Sequence, residues 1–314
     1  MPTLISSYAR GLKVADIQTS RNVTIVQLSG IDPNFPDLIP FSIAHQKGYV
    51  IIKEVIESGR VPELAAENLS DELILILDGE VLLGAKQNRT INTSVLLAPK
   101  STTVIPVSCV EQGRWSYRSR HFSPSEDFIS PEMRSRKVAS VHENLKRSAR
   151  YHSNQQEVWN TVSSRIAFAN VRSESSNFQD YVSSQKKMME DVTNDFKKYK
   201  DATGIVGFIN GKIIGCDIIP QPYIFGLVFE RLVRSYSLDA AYLKMVDYPS
   251  VDYNEQIEKL FLSLDNSKEE KYPSPGVGDS VRISGESITG SALIYQMALI
   301  HLAVFSLNKQ YETL

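Results

Sequence analysis

The sequence is poor in cysteine and has no long apolar run. Its two cysteines, Cys109 and Cys216, lie far apart among 314 residues. One disulfide could join them, but we favour two separate thiols in a reducing compartment. The first residues lack the apolar core of a secretion signal, and no run approaches the ~20 apolar residues that span a bilayer. These absences predict a cytoplasmic protein that does not interact with membranes.

An excess of charge of one sign is also missing. Lys and Arg number 34 and Asp and Glu number 36, so the formal net charge is −2 at pH 7. Such a chain has no global basic field, and its aromatic residues do not interleave with a basic stripe. We therefore expect no binding to nucleic acid.

The common catalytic motifs are absent as well. The chain contains no Walker motif, GxSxG, HExxH or CxxC, which would signal phosphate, acyl-transfer, zinc-protease or redox chemistry. Its five histidines and two cysteines are too scattered to predict a metal site. The residues therefore do not assign a reaction or a cofactor, and whether the protein is an enzyme stays open.

The residues that are present predict a soluble α+β protein. Apolar residues make up 42% and charged residues 22%, as in a globular chain with a substantial core. Residues 1–120 read as many short strands, typical of a β-sandwich or a barrel. Within them, residues 41–48 predict a helical turn closed by Gly48, and Asp78-Gly79 between two apolar runs predicts a hairpin.

The pattern changes near residue 120. Residues 120–150 are polar and poor in apolar side chains, which indicates either a long ordered excursion or a mobile segment. Beyond them, Asn210-Gly211 predicts a type I′ hairpin turn, and a helix-hairpin-helix-strand region occupies 121–314. The helices are predicted at 155–169, 176–200, 223–243 and 253–264, before strands that end the chain. We expect regions 1–120 and 121–314 to pack as one unit.

Two dense polar segments each follow an apolar strand-like run. The first polar segment, residues 86–93, supplies cations, carboxamides and hydroxyls. These are the donor types that bind phosphate or carboxylate, with a fork of donors from arginine and a point charge from lysine. Alternatively, the amides and hydroxyls bridge strands inside the fold while the charges are solvated. The candidate ligand-binding residues are Lys86, Gln87, Asn88, Arg89 and Asn92.

The second polar segment, residues 108–115, adds Gln112, Arg114 and Trp115 as ligand-binding candidates. Trp115 could stack on a ligand ring or simply cover a sheet edge. Glu111 and Cys109 are weak catalytic candidates, as a base and as a nucleophile. A cysteine that ends an apolar strand is more often a small buried apolar residue.

The run LDGEVLLGAKQNRTINTSVLLAPKSTTVIPVSCVEQGRW resembles the ARG and Rhodanese-Phosphatase-superfamily-associated Protein family of microbial proteins. The resemblance continues in GIVGFINGKIIGCDI, RLVRSYSLDA, VRISGESITGSAL and IHLAVFSL, and covers the chain from about residue 35 onward except near 120–150. The motif GAKQNR at 84–89 is its most specific part. The resemblance implies gene neighbourhoods with ADP-ribosylglycohydrolases and phosphatases, but no catalytic residues.

Two hypotheses follow. In the first, Lys86 and Arg89 hold the pyrophosphate of an NAD- or ADP-ribose-like metabolite. Asn88 and Asn92 orient a ribose or amide, and Glu111 acts as a base or accepts a hydrogen bond from a hydroxyl group. In the second, the protein is a non-enzymatic interaction or assembly protein, and a homo-oligomer is possible. Its polar segments are then structural networks. Convergence of the two polar segments on one pocket would favour the first hypothesis.

Overall fold

This computed structural model describes residues 3–56, 59 and 61–307, and most of them form strands or amphipathic helices. The helices are α1 (Leu4–Gly11), α2 (Phe41–Gln46), α3 (Pro131–Ser148), α4 (Gln155–Phe168), α5 (Phe178–Asn194), α6 (Pro222–Tyr242) and α7 (Tyr253–Asp265). The strands are β1 (Lys13–Ser20), β2 (Val23–Ser29), β3 (Leu38–Pro40), β4 (Val50–Glu54), β5 (Glu63–Asn68), β6 (Leu73–Ile76), β7 (Glu80–Gly84), β8 (Arg89–Ile91), β9 (Val95–Leu97), β10 (Ser101–Cys109), β11 (Phe122–Phe128), β12 (Ala202–Ile209), β13 (Lys212–Ile218), β14 (Lys268–Pro273), β15 (Asp279–Ser284), β16 (Ile288–Tyr295) and β17 (Ala298–Ser306). The predicted α+β class is confirmed.

The largest sheet has eight strands in the order β1-β2-β12-β13-β17-β16-β15-β14. Its β12–β13 hairpin turns at Asn210 and Gly211, whose φ angles are 49° and 73°. Two consecutive positive φ values define the predicted type I′ turn. Strands β1 and β2 come from the first 30 residues and pair with each other, and β2 also pairs with β12. This sheet therefore draws on both sides of residue 120.

Six strands close a barrel in the order β10-β5-β4-β11-β7-β8. Alternate side chains of these strands face the barrel axis, where apolar residues including Ile52, Leu82, Ile91 and Ile105 form a buried cluster. Strand β11 follows residue 120, so the barrel also combines both halves of the chain. The predicted barrel-like region is therefore a closed barrel.

The predicted hairpin at Asp78-Gly79 is wrong. The preceding strand β6 belongs to a separate three-stranded sheet, β3-β6-β9, whereas the following strand β7 belongs to the barrel. The carboxylate of Asp78 is fully buried and pairs with Arg134 and Lys137. The dipeptide therefore connects two sheets through a charged contact instead of turning a hairpin.

Residues 120–150 are ordered, and they form strand β11 and helix α3. Helix α3 contacts the large sheet through β13, β16 and β17, and also packs on α4 and α6. Its buried face includes Arg134 and Lys137 beside Val138 and Val141. Because charged residues occupy part of the inner face, the sequence lacks the continuous apolar stripe that would predict this helix.

The α3 charge cluster consists of Asp78, Arg134, Lys137 and Asp217. Arg134 donates Nη1 and Nη2 to the two carboxylate oxygens of Asp217, at 2.9 and 2.7 Å, and Nε to Asp78 at 3.3 Å. Lys137 donates to Asp78 and to the carbonyl of Ile91. All four side chains are at most 1% exposed, so the cluster joins α3 to the β6–β7 connection and to the large sheet.

Candidate functional site

Pairing of β8 with β10 brings the two polar segments together at one end of the barrel. Arg89 lies opposite Cys109, and Thr90 lies opposite Ser108. Ile91, two residues beyond Arg89, belongs to the apolar barrel interior. Since side chains alternate along a strand, Arg89 occupies the same inner face one step nearer the barrel end.

Strand β4 places a carboxylate beside Arg89. Ile52 belongs to the apolar interior, so Glu54 lies on the same face at the end of the strand. The distance from Arg89 Nη2 to Glu54 Oε1 is 3.8 Å, with side chains 0% and 4% exposed. This ion pair closes the apolar interior of the barrel at its polar end, which we call the barrel mouth.

The ion pair at the mouth is incompletely hydrogen bonded. Arg89 Nη1 donates to Gln87 at 2.9 Å. Within the described part of the chain, neither oxygen of Glu54 accepts a hydrogen bond, and Arg89 Nε and Nη2 donate none. Buried polar atoms usually have partners, and atoms that lack them require an explanation.

Lys86 lies between two aromatic rings at the same end of the barrel. Its Nζ is 5.4 Å from the centroid of Trp115 and 5.1 Å from that of Tyr117. The Arg89 guanidinium also faces Trp115, at 5.7 Å. Trp115 is 46% and Tyr117 51% exposed, so these cation–π contacts leave ring surface accessible to solvent.

Glu111 is held inside the protein by a dense set of donors. Arg114 donates Nε and Nη2 to its two oxygens at 2.9 and 2.6 Å. The backbone N–H of Asn88 and the hydroxyl of Ser175 add bonds of 3.1 and 2.8 Å. Burial alone would raise the pKa of Glu111, but these hydrogen bonds and the charge of Arg114 outweigh burial and lower it. An ionised carboxylate with its oxygens so engaged is poorly suited to act as a base.

The carboxamides of the first polar segment bond to the protein itself. Asn88 donates to Asn177 Oδ1 at 3.1 Å. Asn92 donates to the carbonyl of Tyr151 at 3.0 Å and accepts from the Ser108 hydroxyl at 2.6 Å. These bonds connect the barrel end to the segments that flank α4 and α5.

The two glutamines of the segments differ in exposure. Gln87 is buried, and its Nε2 donates to the backbone carbonyl of Gln112 at 3.3 Å. The Gln112 side chain is exposed. This contact connects the first polar segment to the second, and of the two glutamine side chains only that of Gln112 is exposed.

Cys109 is fully buried at the end of β10. Its backbone N–H and carbonyl both bond to the side chain of Gln155, at 2.7 and 2.8 Å. Burial raises the pKa of the thiol to about 11, against the opposing charge of Arg89. Because the thiolate is the nucleophilic form, this environment favours a structural role for Cys109.

A pocket of about 550 Å³ opens beside the mouth. Strand β4 and the residues that follow it form one wall, and the segment 117–121 forms the other. The lining residues are Lys53, Glu54, Val55, Ile56, Tyr117, Arg118, Ser119, Arg120 and His121. The volume lies within the range of small-molecule sites.

Gly84 allows segment 117–121 to pack closely on the barrel. Its φ is +119°, and a Cβ at this position would lie 2.3 Å from Ser119 Oγ and 2.9 Å from the carbonyl of His121. Next to it, Ala85 donates its N–H to Ser119 Oγ and accepts from the N–H of Arg118, both at 3.0 Å. The start of the GAKQNR motif therefore positions the pocket wall.

Comparison with known protein families gives one match. The family model of the ARG and Rhodanese-Phosphatase-superfamily-associated Protein domain, ARPP-1, matches residues 11–305. The chain belongs to this family. The match confirms the resemblance, and it begins before residue 35 and includes residues 120–150. No match was found among curated proteins or among solved structures.

In this ARPP-1 protein, the sequence-derived site residues fall into two groups. Lys86, Arg89 and Trp115 lie together at the mouth. The other ligand-binding candidates bond within the protein or, for Gln112, lie on the surface: Gln87, Asn88, Asn92, Gln112 and Arg114. Assignment of any of these residues to a ligand remains a prediction.

Sequence reasoning missed the residues that line the pocket. Glu54 stands two residues from Ile52 in an alternating strand, and this period of two places it inside the barrel. Arg118 and Arg120 belong to SYRSRH, which directly follows the second polar segment.

Among the helices of the described residues, none combines the length and the apolar character that a membrane-spanning helix needs.

Proposed function

We propose that this protein binds a small anionic metabolite of the NAD or ADP-ribose type in the pocket at the barrel mouth. The observation that carries the proposal is the charge of the pocket lining. Lys53, Arg118 and Arg120 provide three cations and His121 an imidazole, against one carboxylate in the lining, Glu54. Outside the lining, Glu67 pairs with Lys53, and Glu111 lies 3.9 Å from Arg118. A concave surface with this excess of positive charge favours a ligand that carries phosphate.

In this proposal, the cations and the aromatic rings have different roles. The Arg118 side chain is 60% exposed, and its Nη2 lies 3.9 Å from Glu111 Oε1 without a close hydrogen bond. In this proposal, the guanidinium turns toward a phosphate group and binds it through two donors. The exposed faces of Trp115 and Tyr117 offer a stacking surface for a base. The ammonium group of Lys86 lies between Trp115 and Tyr117 and adds positive charge next to this stacking surface.

The family adds an independent reason for this ligand class. The family name associates the domain with ARG and rhodanese-phosphatase proteins, and the resemblance links it to gene neighbourhoods that concern ADP-ribose. Such an association raises the expectation of a related ligand without supplying a mechanism. The proposal is therefore limited to binding. The engaged state of Glu111 and the raised pKa of Cys109 give no support for catalysis by either residue.

Calorimetric titration tests the proposal directly. We expect saturable binding of ADP-ribose, NAD or ADP to the wild-type protein, and no binding of adenosine, which has the base and ribose but no phosphate. Because several cations contribute, the affinity should fall as the salt concentration rises. If none of the three phosphate-bearing ligands binds at millimolar concentration, the proposal is wrong.

A second candidate is a non-enzymatic interaction protein, supported by a different observation. The hydrogen bonds among Asn88, Glu111, Arg114 and Asn177 use these side chains within the fold, as expected of a structural network. The prediction of a homo-oligomer belongs to this candidate. Light scattering that finds a monomer, together with saturable nucleotide binding, would favour the first proposal over the second.

A further inference from the structure

The mouth of the barrel holds a carboxylate in a pocket that otherwise favours anions. Glu54 is 8% exposed and lines the pocket. Its two oxygens are shielded from solvent, and neither accepts a hydrogen bond from the described residues. Among the described residues, the cation closest to Glu54 is Arg89, at 3.8 Å, which compensates the charge of Glu54 without a hydrogen bond. A buried acceptor of this kind is costly unless a donor approaches it.

From this geometry we infer that the Glu54 side chain shifts toward the pocket and accepts hydrogen bonds from a pair of neighbouring hydroxyl groups on the ligand, such as the 2′- and 3′-hydroxyls of a ribose. The inference rests on the proposed function and specifies its ligand: a phosphorylated ribose that keeps both hydroxyls. Two carboxylate oxygens without donors match two adjacent O–H groups, a pairing that carboxylates make with ribose in nucleotide sites.

The surrounding charge favours neutral donors over a second cation. Arg89 already lies beside Glu54, and Arg118 and Arg120 line the same pocket together with Lys53, which also pairs with Glu67. An ammonium or guanidinium group on the ligand would be repelled by these four positive charges. Hydroxyl groups can donate to Glu54 without that repulsion, and the cations remain available for phosphate.

The test compares ADP with 2′,3′-dideoxy-ADP, which differ only in the two hydroxyls. For the wild-type protein, we expect the dideoxy compound to bind roughly tenfold to a hundredfold more weakly in calorimetry, as when a buried acceptor loses its donors. The Glu54→Gln variant should bind ADP more weakly than the wild type by a similar factor. In this variant, the affinities for ADP and for the dideoxy compound should differ by about twofold or less, as in a double-mutant cycle.

Glu126→Gln is the matched control, because Glu126 is an exposed glutamate on β11 that does not line the pocket. It should leave both affinities unchanged. If Glu54→Gln does not fold, the wild-type comparison alone decides. Equal binding of ADP and its dideoxy analogue to the wild type overturns the inference and leaves the proposed function intact. Failure of ADP, ADP-ribose and NAD all to bind overturns the proposed function itself.

Discussion

The α3 charge cluster and the barrel mouth both bury ionic side chains, but they differ in how completely these are hydrogen bonded. In the cluster, Arg134 uses all three of its nitrogens, and each oxygen of Asp78 and Asp217 accepts a bond. At the mouth, Glu54 accepts none from the described residues, and Arg89 uses one nitrogen of three.

This difference separates structure from binding. A cluster whose donors and acceptors are paired fixes the position of α3, and loss of one member would leave an uncompensated buried charge. An ionic pair with unused donors and acceptors beside a 550 Å³ pocket still has capacity for a ligand. We therefore expect substitutions in the cluster to affect stability and substitutions at the mouth to affect affinity.

The largest expected effect is that of Arg134→Met. The variant keeps the aliphatic stem but leaves Asp78 and Asp217 with less positive charge, so we expect a loss of about 3–5 kcal/mol in the free energy of unfolding. Urea denaturation measures it. Arg147→Met, at an exposed position of the same helix, should change stability by no more than about 0.5 kcal/mol. Equal stability of the two variants would show that the cluster does not hold α3.

Acid should weaken the cluster. Burial alone would raise the pKa of Asp217, but Arg134 and His301 outweigh it, and the pKa lies well below the ordinary value of 3.8. The unfolded chain therefore binds a proton more readily than the folded chain. The contribution of Asp217 to stability is complete above the ordinary carboxyl range and falls as the pH drops below about 4.

Urea unfolding between pH 7 and pH 3 checks this dependence. The wild-type protein should lose stability over the acid part of the range, and Asp217→Asn should lose less of it because the titrating carboxyl is gone. The variant will be less stable at pH 7, since Arg134 loses an ionised partner. A wild-type slope unchanged in Asp217→Asn would show that the pKa of Asp217 is not lowered in the folded protein.

A smaller effect in free energy is expected for Arg118→Ala at the mouth. Removal of one exposed cation from the proposed phosphate site should weaken ADP binding by about tenfold, the equivalent of about 1.4 kcal/mol. Unfolding stability should change by no more than about 0.5 kcal/mol, because the side chain is 60% exposed. Arg147→Ala provides an exposed arginine outside the pocket as control. Unchanged ADP affinity in Arg118→Ala would exclude this side chain from the site.

The sequence predicts those elements that depend on neighbouring residues, and it fails where an element depends on partners far away in the chain. The turn at Asn210-Gly211 and helix α6 follow from local chemistry, a turn dipeptide and a broad apolar stripe. The sequence pattern does not predict helix α3, because Arg134 and Lys137 occupy its inner face and only partners distant in the chain make their burial possible.

Prediction of the site was partial for a similar reason. The two polar segments were located, and their convergence at β8 and β10 depends on barrel closure that no local pattern encodes. Sequence alone could not distinguish Asn92, bonded to Tyr151 and Ser108, from Arg89, which keeps unused donors. Glu54 was overlooked because a charged residue at a strand end usually faces water.

Fluorescence of Trp115 tests the central claim most directly, because this ring lies at the barrel mouth. The protein has two tryptophans, so Trp159→Phe on α4 leaves Trp115 as the reporter. We predict a saturable change in its emission on titration with ADP-ribose or ADP, with a midpoint that matches calorimetry. An unchanged Trp115 signal while calorimetry records binding would place the ligand elsewhere and contradict the account.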